Sequence, residues 1–350
     1  MDALPHRIVM LDRGTFPADT RIKGPKFPHE LVLYERTAPN EAAARVADAA
    51  VIITNKVPIT RAVLAQARQL KLVAVAATGY DVIDVKACAE RGAAVCNVRD
   101  YALHTVPEHT FALMLALRRS LMPYHHSVGK GRWQQSGQFC YFDYPIQDLA
   151  GSTIGIFGGG TIGQSVAGIA RAFGMKVLFA ARRGAPTQAN RTPFEAVLEE
   201  SDVLTFHLPL RHETRHMIGA AEFARMRRKP LVVNTGRGGL VDEAALAVAL
   251  ESGQIAGAGF DVVTVEPMPA DHPFQRLMGR PDFVLTPHVA WAAAKPLKLL
   301  PTRCSKISTI SSVDFLRTWC FLDAVPMALK QVTMSIDDAG QVGTATHSLS

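Results

Sequence analysis

Short apolar runs alternate with amphipathic stretches over the first third of the chain. Four apolar runs lie at positions 8–11, 51–54, 72–76 and 93–96. Segments with a helical spacing of apolar residues lie between them, at 40–47, 60–67 and 84–91. A run that is apolar at every position is typical of a strand buried on both faces, as in parallel sheets covered by helices. The pattern therefore predicts alternating strands and helices around a parallel sheet.

A second alternation begins near position 153. Its six predicted strands lie at 153–157, 176–180, 203–207, 231–234, 256–260 and 283–285. Six strands joined by helix-sized crossovers predict a doubly wound sheet. Because a domain holds about 150 residues as a guide, the 350 residues of this chain predict two α/β domains.

The region between the two alternations has a different pattern. A helix is predicted from Thr105 through the apolar run 111–117, which is too apolar for a solvated linker and must pack on other elements. The next segment, 129–145, carries several aromatic residues without helical or strand periodicity. These rings would be exposed if the segment stood alone, so we predict an arm that contacts a second subunit.

Composition and charge exclude several classes of protein. The chain has 38 basic and 31 acidic residues, a net charge of +7, but the basic residues are scattered and form no block. This distribution does not favour a nucleic acid partner, whereas a positive site suits small phosphates and carboxylates. The five cysteines form no CxxC pair, so neither disulfides nor a metal site is predicted. No apolar run approaches the roughly 18 residues of a membrane span, and the start lacks a secretory signal, so a cytoplasmic location is expected.

A glycine-rich turn follows the first strand of the second alternation. Gly158, Gly160 and Gly163 form a G-x-G-x-x-G motif, and a helical pattern continues after it. In such a turn the first glycine permits the tight bend, the second admits a pyrophosphate, and the third lets the helix approach the strand. The motif in this context predicts a dinucleotide cofactor, and a purely structural glycine turn is the alternative.

The end of the next strand indicates which dinucleotide is preferred. NAD-binding sheets usually carry an acid here for the ribose hydroxyl. This chain has no acid at that position and has Arg182 and Arg183 instead. Guanidinium groups form charge-assisted hydrogen bonds with phosphate, so NADP(H) is favoured and NAD(H) remains possible. The alternative is that both arginines are simply solvated.

Three polar residues lie at or just beyond predicted strand ends, where open α/β sheets bind ligands. They are Arg237, Glu266 and His288. Each alone could be a solvated or structural side chain. Together they suit the reduction of a 2-keto acid, since the arginine can bind the carboxylate, the imidazole can protonate the oxygen after hydride transfer, and the acid can orient the imidazole.

These motifs resemble the D-isomer-specific 2-hydroxyacid dehydrogenases over residues 7–291. The resemblance rests on the glycine-rich turn and on the segments 78–84, 234–239, 261–267 and 286–291. Segments 11–14 and 137–145 narrow this resemblance to one subgroup of the family. The implied activity is NAD(P)H-dependent reduction of a small 2-keto acid, such as hydroxypyruvate or glyoxylate, with His288 as proton donor.

The resemblance also implies an architecture. Two doubly wound parallel-sheet domains of Rossmann or flavodoxin type are expected, with the active site in the cleft between them. Residues 1–103 would bind the substrate, and residues 104–292 would bind the cofactor and carry a dimerisation arm at 105–145. The expected assembly is a homodimer.

The same resemblance assigns individual residues. The expected catalytic residues are Arg237, Glu266 and His288. The expected substrate contacts are Asn55, Val57, Thr78, Gly79 and Arg237. The expected cofactor contacts are Thr105, Gly158, Gly160, Thr161, Ile162, Gly163, Arg182, Arg183, His207, Leu208, Pro209, Thr235, Arg237, Asp261 and His288.

The resemblance stops abruptly after Ala294. Two prolines, Pro296 and Pro301, lie where a helix is expected, and a proline inside a helix costs about 3 kcal/mol or more. Codons can be chosen for residues 295–314 so that a neighbouring reading frame encodes EAIEAFADQVLENINNFVSG, which has helical spacing. We therefore hypothesise that residues 295–350 follow a frameshift and form a poorly ordered tail.

Two other interpretations remain open at this level. The protein could be an NAD(P)-binding sensor without turnover, or a dehydrogenase inactivated by its altered tail. The presence of all three candidate catalytic residues favours an active enzyme.

Overall fold

Residues 6–20, 22, 24–25, 27–98, 100–186 and 189–293 are described by the computed structural model, together with the backbone of two short strands at 333–336 and 342–345. The chain divides into two compact units. The first contains Met1–Tyr101 and Ala293–Ser350, and the second contains Ala102–Ala292.

The first unit is built on five parallel strands in the order β2-β1-β3-β4-β5. This is the flavodoxin-like order of a doubly wound sheet, as predicted. The strands are β1 His6–Met10, β2 His29–Leu33, β3 Val51–Thr54, β4 Leu72–Val75 and β5 Ala94–Asn97. The helices are α1 Ala42–Arg45, α2 Arg61–Gln66 and α3 Val85–Glu90, with a 3-10 turn at Arg13–Thr15.

Local sequence explains where two of these helices begin. The Thr60 side chain accepts a hydrogen bond from the backbone N–H of Val63, and Asp84 accepts one from Ala87. Both are preferred N-cap residues because they satisfy an N–H group that has no partner within the helix. Capping therefore fixes the direction in which α2 and α3 leave the carboxyl edge of the sheet.

The second unit contains six parallel strands in the order β11-β10-β9-β8-β6-β7. The strand order reverses between β6 and β8, which defines the switch point where doubly wound sheets bind ligands. The strands are β6 Thr153–Phe157, β7 Lys176–Phe179, β8 Val203–Phe206, β9 Leu231–Asn234, β10 Gly257–Phe260 and β11 Phe283–Leu285. The helices are α4 Thr105–Arg118, α5 Leu121–Gly129, α6 Arg132–Ser136, α7 Thr161–Ala172, α8 Phe194–Glu200, α9 Ala220–Phe223 and α10 Glu243–Glu251, with 3-10 turns at His212–Thr214 and Pro273–Leu277.

The apolar helix α4 packs directly on this second sheet. Phe111, Leu113, Met114 and Leu117 are buried in a core cluster with strand residues. The approach is close, since a Cβ built on Gly259 would lie 3.1 Å from the Cβ of Leu113. The run 111–117 is therefore apolar because α4 is a core helix of this unit.

The prediction for residues 295–350 falls almost entirely outside the described residues. Only β12 Thr333–Ile336 and β13 Val342–Ala345, an antiparallel pair, belong to the described backbone. The frameshift hypothesis therefore stays a prediction from the sequence.

Candidate active site

The glycine-rich turn joins β6 to α7 in the second unit. Gly158 has a φ of 108°, and an added Cβ would collide with the backbone carbonyl of His207. A Cβ at Gly163 would collide with the carbonyl oxygen of Gly158, so α7 lies very close to the turn. Gly160, the N-cap of α7, has open space within 4 Å of its Cβ position.

This geometry fits the pyrophosphate of a dinucleotide. The open space at Gly160 lies at the N-terminus of a twelve-residue helix, where unpaired N–H groups and the helix dipole attract anions. Thr161 and Ile162 form the first turn of that helix. The roles predicted for the three glycines therefore each have a physical counterpart in this turn.

His207 follows β8, on the other side of the switch point. Its backbone N–H donates to the carbonyl of Phe157 at 2.7 Å, which ties the loop of His207, Leu208 and Pro209 to the glycine-rich turn. The imidazole Nε2 lies 3.1 Å from Oγ1 of Thr205, while Nδ1 is buried without a hydrogen-bond partner. Burial lowers the pKa of His207 to about 4, so the ring is neutral near pH 7.

The two arginines after β7 differ in their surroundings. Arg182 is exposed, and its side chain forms no hydrogen bond or ion pair with residues that the structure describes. Arg183 donates to the Met217 carbonyl at 2.8 Å and to a carboxylate oxygen of Glu222 at 2.9 Å, and its guanidinium stacks on Phe194. Arg183 is thus already engaged, which argues against the cofactor contact predicted for it.

Arg237 lies in the turn that follows β9. The buried Asn234 side chain holds this turn, because its Nδ2 donates to the Arg237 carbonyl at 2.8 Å and its Oδ1 accepts from Gly236. The Arg237 side chain is half-buried, and Nη1 donates to the Gly236 carbonyl at 2.8 Å. Thr235 is buried and its hydroxyl lies 2.8 Å from that of Thr110 on α4.

Asp261 follows β10 and holds the loop that carries His288. Its carboxylate accepts hydrogen bonds from the Thr286 hydroxyl at 2.5 Å, from Val289 N–H at 2.9 Å and from Ala290 N–H at 2.8 Å. The Asp261 carbonyl also accepts from His288 N–H at 2.8 Å. Asp261 is only 1% exposed, so its main role in this unit is to fix residues 286–290.

Glu266 and His288 form a hydrogen-bonded pair. Nδ1 of His288 lies 2.7 Å from Oε2 of Glu266, and Oε1 of Glu266 accepts from Val263 N–H at 3.3 Å. Because a carboxylate only accepts, Nδ1 is the donor and Nε2 faces away from the acid. The two side chains retain 21% and 33% exposure, for His288 and Glu266 respectively. The pair therefore offers an oriented imidazole that solvent and ligands can reach.

The loops after β9, β10 and β11 lie side by side because these strands are neighbours. The Asn234 carbonyl accepts from Asp261 N–H at 2.9 Å, and a Cβ at Gly238 would collide with the backbone of Val263. The three predicted catalytic residues consequently share one edge of the second sheet. Thr105 begins α4 near this loop cluster, where its hydroxyl lies 3.4 Å from the Trp291 carbonyl.

The predicted substrate residues lie at the carboxyl edge of the first sheet. Asn55 and Val57 follow β3 and are buried, while Thr78 and Gly79 follow the neighbouring strand β4. The Thr78 hydroxyl donates to the Val98 carbonyl at 2.9 Å, and Asn97 Nδ2 donates to the Thr78 carbonyl at 2.7 Å. The loops after β3 and β4 are adjacent within the first unit because these strands are neighbours in the sheet.

Asp12 is a residue of this edge that the sequence analysis did not single out. Its buried carboxylate accepts backbone N–H groups from Asn55 at 3.0 Å, Lys56 at 2.6 Å and Val57 at 3.2 Å. Burial raises the pKa of Asp12, and the three backbone hydrogen bonds oppose that effect. Asp12 thus shapes the 55–57 loop. An acid directly after a buried strand of a parallel sheet was the signal that could have identified it.

A second histidine–glutamate pair lies behind the Glu266 loop and was also missed. His272 Nε2 lies 2.8 Å from Oε2 of Glu243, and Oε1 of Glu243 accepts from Thr264 N–H at 2.7 Å. Both side chains are buried, at 6% and 9% exposure. Glu243 lies in helix α10, where its sequence context looks like an ordinary solvated helix residue.

Two features are absent from the described part of the chain. No group of three or more metal-ligating side chains is found there. No helix in the same part has both the length and the apolar character required to cross a membrane.

The glycine-rich turn at the switch point of a parallel sheet defines a dinucleotide-binding class of protein. Residues 111–290 match the family model described as "D-isomer specific 2-hydroxyacid dehydrogenase, NAD binding domain". A glycerate dehydrogenase of Methylorubrum extorquens is 48% identical over 295 residues, which cover 84% of this chain and 92% of that protein. A hydroxypyruvate reductase of Blautia hydrogenotrophica is 35% identical over 84% of this chain and 93% of that protein.

Solved structures give the same result. An NADPH-dependent glyoxylate/hydroxypyruvate reductase of Sinorhizobium meliloti, in complex with NADP and malonate, superposes with a TM-score of 0.72 at 27% identity. The match covers 91% of this chain and 95% of that chain. The protein belongs to the D-isomer-specific 2-hydroxyacid dehydrogenase family, which confirms the resemblance, the fold class and the enzyme class predicted from the sequence.

Proposed function

We propose that this protein reduces hydroxypyruvate or glyoxylate to the D-2-hydroxy acid, with NADPH as the preferred reductant. The observation that carries the proposal is the Glu266–His288 pair. It places an oriented, accessible imidazole at the carboxyl edge of the second sheet, where Arg237 also lies. The relatives named as glycerate dehydrogenase and hydroxypyruvate reductase support the substrate class.

The proposed mechanism assigns one role to each of these side chains. Arg237 binds the substrate carboxylate through its guanidinium and polarises the carbonyl. When bound, the reduced nicotinamide supplies a hydride to the carbonyl carbon. His288 in its doubly protonated form then delivers the Nε2 proton to the carbonyl oxygen and becomes neutral, while its Nδ1–H stays hydrogen-bonded to Glu266, which orients the ring.

Residues of the first unit are proposed to contact the substrate as well. Their loops lie at the carboxyl edge of the first sheet, where doubly wound sheets bind ligands. The proposed contacts are Asn55, Val57, Thr78 and Gly79.

Steady-state kinetics with the purified full chain test the proposal. We expect oxidation of NADPH in the presence of hydroxypyruvate or glyoxylate, with slower oxidation of NADH and weaker activity on pyruvate. Ala181→Glu, which places an acid at the end of β7, should shift the preference toward NADH. An unchanged cofactor ratio in this variant would contradict the NADP(H) preference, and no turnover with any of the three acids would contradict the activity.

We also propose a homodimer in the cytoplasm. Phe139 and Phe142 are 88% and 80% exposed, and Trp133 is 49% exposed, so the predicted arm presents large apolar groups to solvent. The buried thiols of Cys88 and Cys96 are unpaired, which suits a reducing compartment. Sedimentation of the double variant Phe139→Ser with Phe142→Ser should show a monomer, whereas Leu33→Ser, at an exposed edge strand, should leave the dimer intact.

The frameshift of the tail remains part of the proposal. It is supported by the helical pattern in the neighbouring frame, and the share of this chain outside the glycerate dehydrogenase match is similar in size to residues 295–350. Sequencing the gene provides the test, because codons that do not encode the helix in the neighbouring frame would refute the frameshift. Restoring that frame should increase turnover and stability if the tail limits either.

A further inference from the structure

Arg191 lies beside the end of β7, although it comes twelve residues after Phe179, the last residue of that strand. Thr192 forms an isolated parallel bridge with Ala180. Ala181 N–H donates to the Thr192 carbonyl at 2.8 Å, and Thr192 N–H donates to the Phe179 carbonyl at 2.8 Å. These hydrogen bonds fix the backbone at position 191 next to the strand end where doubly wound sheets bind the adenosine ribose.

The Arg191 side chain extends from this position to the glycine-rich turn. Its Cζ lies 5.4 Å from the centroid of the Phe179 ring, in a cation–π contact. A Cβ built on Gly159 would lie 2.8 Å from the same Cζ and closer still to both terminal nitrogens. The guanidinium therefore spans the gap between the end of β7 and the turn.

Gly159 provides the room for this guanidinium. Unlike Gly158, it has no positive φ, so its backbone conformation does not require a glycine. Any larger residue at 159 would displace the Arg191 side chain from the turn. The glycine at this position is explained by the arginine that lies over it.

Arg191 also keeps its charge available. Among the described residues no carboxylate pairs with it and no hydrogen bond to it is formed, whereas Arg183 is held by Glu222 and Met217. The pyrophosphate is expected at Gly160 and the N-terminus of α7, but Arg191 lies on the β7 side of the turn. That side faces the ribose of the adenosine, where NADP(H) carries its extra phosphate.

We propose that Arg191 is a specificity-determining residue that binds the ribose 2′-phosphate of NADP(H), with Gly159 giving it access. The inference rests on the proposed preference for NADP(H). The inference assigns recognition of the negatively charged 2′-phosphate to Arg191 together with the exposed Arg182, and not to Arg183.

Binding measurements on the full chain without substrate test the proposal. The ligands are adenosine 2′,5′-bisphosphate and ADP, whose dissociation constants are measured by titration calorimetry. Arg191→Gln should weaken the bisphosphate by about tenfold to a hundredfold, the range expected for lost hydrogen bonds between charged groups, and change ADP by less than about threefold. Arg191→Lys should lie between the wild type and Arg191→Gln, because lysine keeps the charge without the planar fork.

Two further variants separate the role of Arg191 from a general loss of charge. Gly159→Ala keeps Arg191 but fills its space, so it should reduce the preference for the bisphosphate in the same direction and by less. Arg225→Gln removes an exposed arginine that pairs with Glu199 at 2.9 Å, and it should leave both dissociation constants unchanged.

The outcomes distinguish this inference from the proposed cofactor preference. A wild-type protein that binds both ligands equally would refute the NADP(H) preference itself. A wild type that prefers the bisphosphate, with the preference retained in Arg191→Gln or lost in Arg183→Gln instead, would overturn the role of Arg191 alone. Equal weakening of both ligands in Arg191→Gln would place the guanidinium at the pyrophosphate and would also overturn it.

Discussion

Two histidine–glutamate pairs in the second unit have nearly the same hydrogen-bond length and different surroundings. The Glu266–His288 pair has 2.7 Å between Oε2 and Nδ1, and the Glu243–His272 pair has 2.8 Å between Oε2 and Nε2. The first pair keeps 33% and 21% of its side-chain surface exposed. The second keeps 9% and 6%.

The two pairs differ more clearly at the ring nitrogen that does not contact the glutamate than in their exposure. Nδ1 of His272 accepts the backbone N–H of Phe274 at 3.1 Å, and Nε2 donates to Glu243, so both ring nitrogens form hydrogen bonds within the protein. Nε2 of His288 forms no hydrogen bond with the described residues. A substrate can therefore reach a ring nitrogen of His288, whereas both ring nitrogens of His272 are engaged within the protein.

This comparison teaches that a histidine beside a carboxylate is not by itself a catalytic feature. The buried pair instead positions the exposed one, because Glu243 accepts Thr264 N–H within the segment that carries Glu266. One pair performs proton transfer in the proposed reaction, and the other holds the backbone from which the first pair is built.

The largest expected effect is the loss of turnover in His288→Asn. We expect kcat to fall by about 10²- to 10⁴-fold, the range for removal of a general acid, while the dissociation constant of NADPH changes little. Stopped-flow reduction of hydroxypyruvate and a separate NADPH titration measure the two quantities. As a control, His212→Gln changes an exposed histidine in a surface turn and should keep normal turnover. Near-normal kcat in His288→Asn would remove it as the proton donor.

Glu243→Ala should produce the next largest effect, on stability. It removes the acceptor of Thr264 N–H and of the buried His272 Nε2–H, and hydrogen bonds to a charged group contribute about 1.5–3 kcal/mol each. We expect the free energy of unfolding to fall by about 3–5 kcal/mol in guanidinium denaturation. Glu251→Ala on the same helix breaks an exposed ion pair with Arg276 and should cost less than about 1 kcal/mol. Equal losses in the two variants would contradict the role of the buried pair.

The two pairs also differ in how well the sequence predicts them. Glu266 and His288 were found because both come just after apolar strands, and the carboxyl ends of parallel strands share one edge. Glu243 lies in helix α10 and His272 precedes a 3-10 turn, so neither periodicity nor motif marks their contact. Burial of a polar pair depends on the tertiary packing of distant segments, which local pattern does not contain.

The prediction of the strands from local sequence has the same limit. Apolar runs predicted β3, β6, β9 and β11 at their observed bounds, and the first three of these strands are buried along their whole length. Strand β2, His29–Leu33, was missed; it lies at the sheet edge, has no buried residue and begins with the polar residues His29 and Glu30. The sequence likewise predicted only part of the positive charge at the end of β7. Arg182 and Arg183 follow the strand directly, whereas Arg191 reaches that point only through the Ala180–Thr192 bridge.

His207 extends the comparison to a half-buried histidine that has no carboxylate partner among the described residues. Burial lowers its pKa from 6.5 to about 4, so between these values the unfolded chain binds the proton and the folded chain does not. The contribution of His207 to the free energy of unfolding is therefore fully present above about pH 6.5. It is lost as the pH falls toward 4, and the loss is at most about 3 kcal/mol. His207→Gln should show a shallower loss of unfolding free energy than the wild type across this window, whereas His212→Gln should follow the wild type. Parallel curves for His207→Gln and the wild type would contradict the prediction.

The smallest expected effect comes from Glu266→Gln, which separates the charge of the exposed pair from its geometry. The amide oxygen of glutamine can still accept the Nδ1 proton of His288, so the imidazole keeps its orientation and loses only a charged partner. We expect kcat/KM to fall by about tenfold or less in Glu266→Gln, and by about tenfold to a hundredfold in Glu266→Ala, where the orientation is lost as well. NADPH binding should be unchanged in both, and kinetics at fixed pH measures the difference. If the two substitutions reduce kcat/KM equally, the contribution of Glu266 is its charge alone, and the comparison of the two pairs by their hydrogen-bond geometry fails at this point.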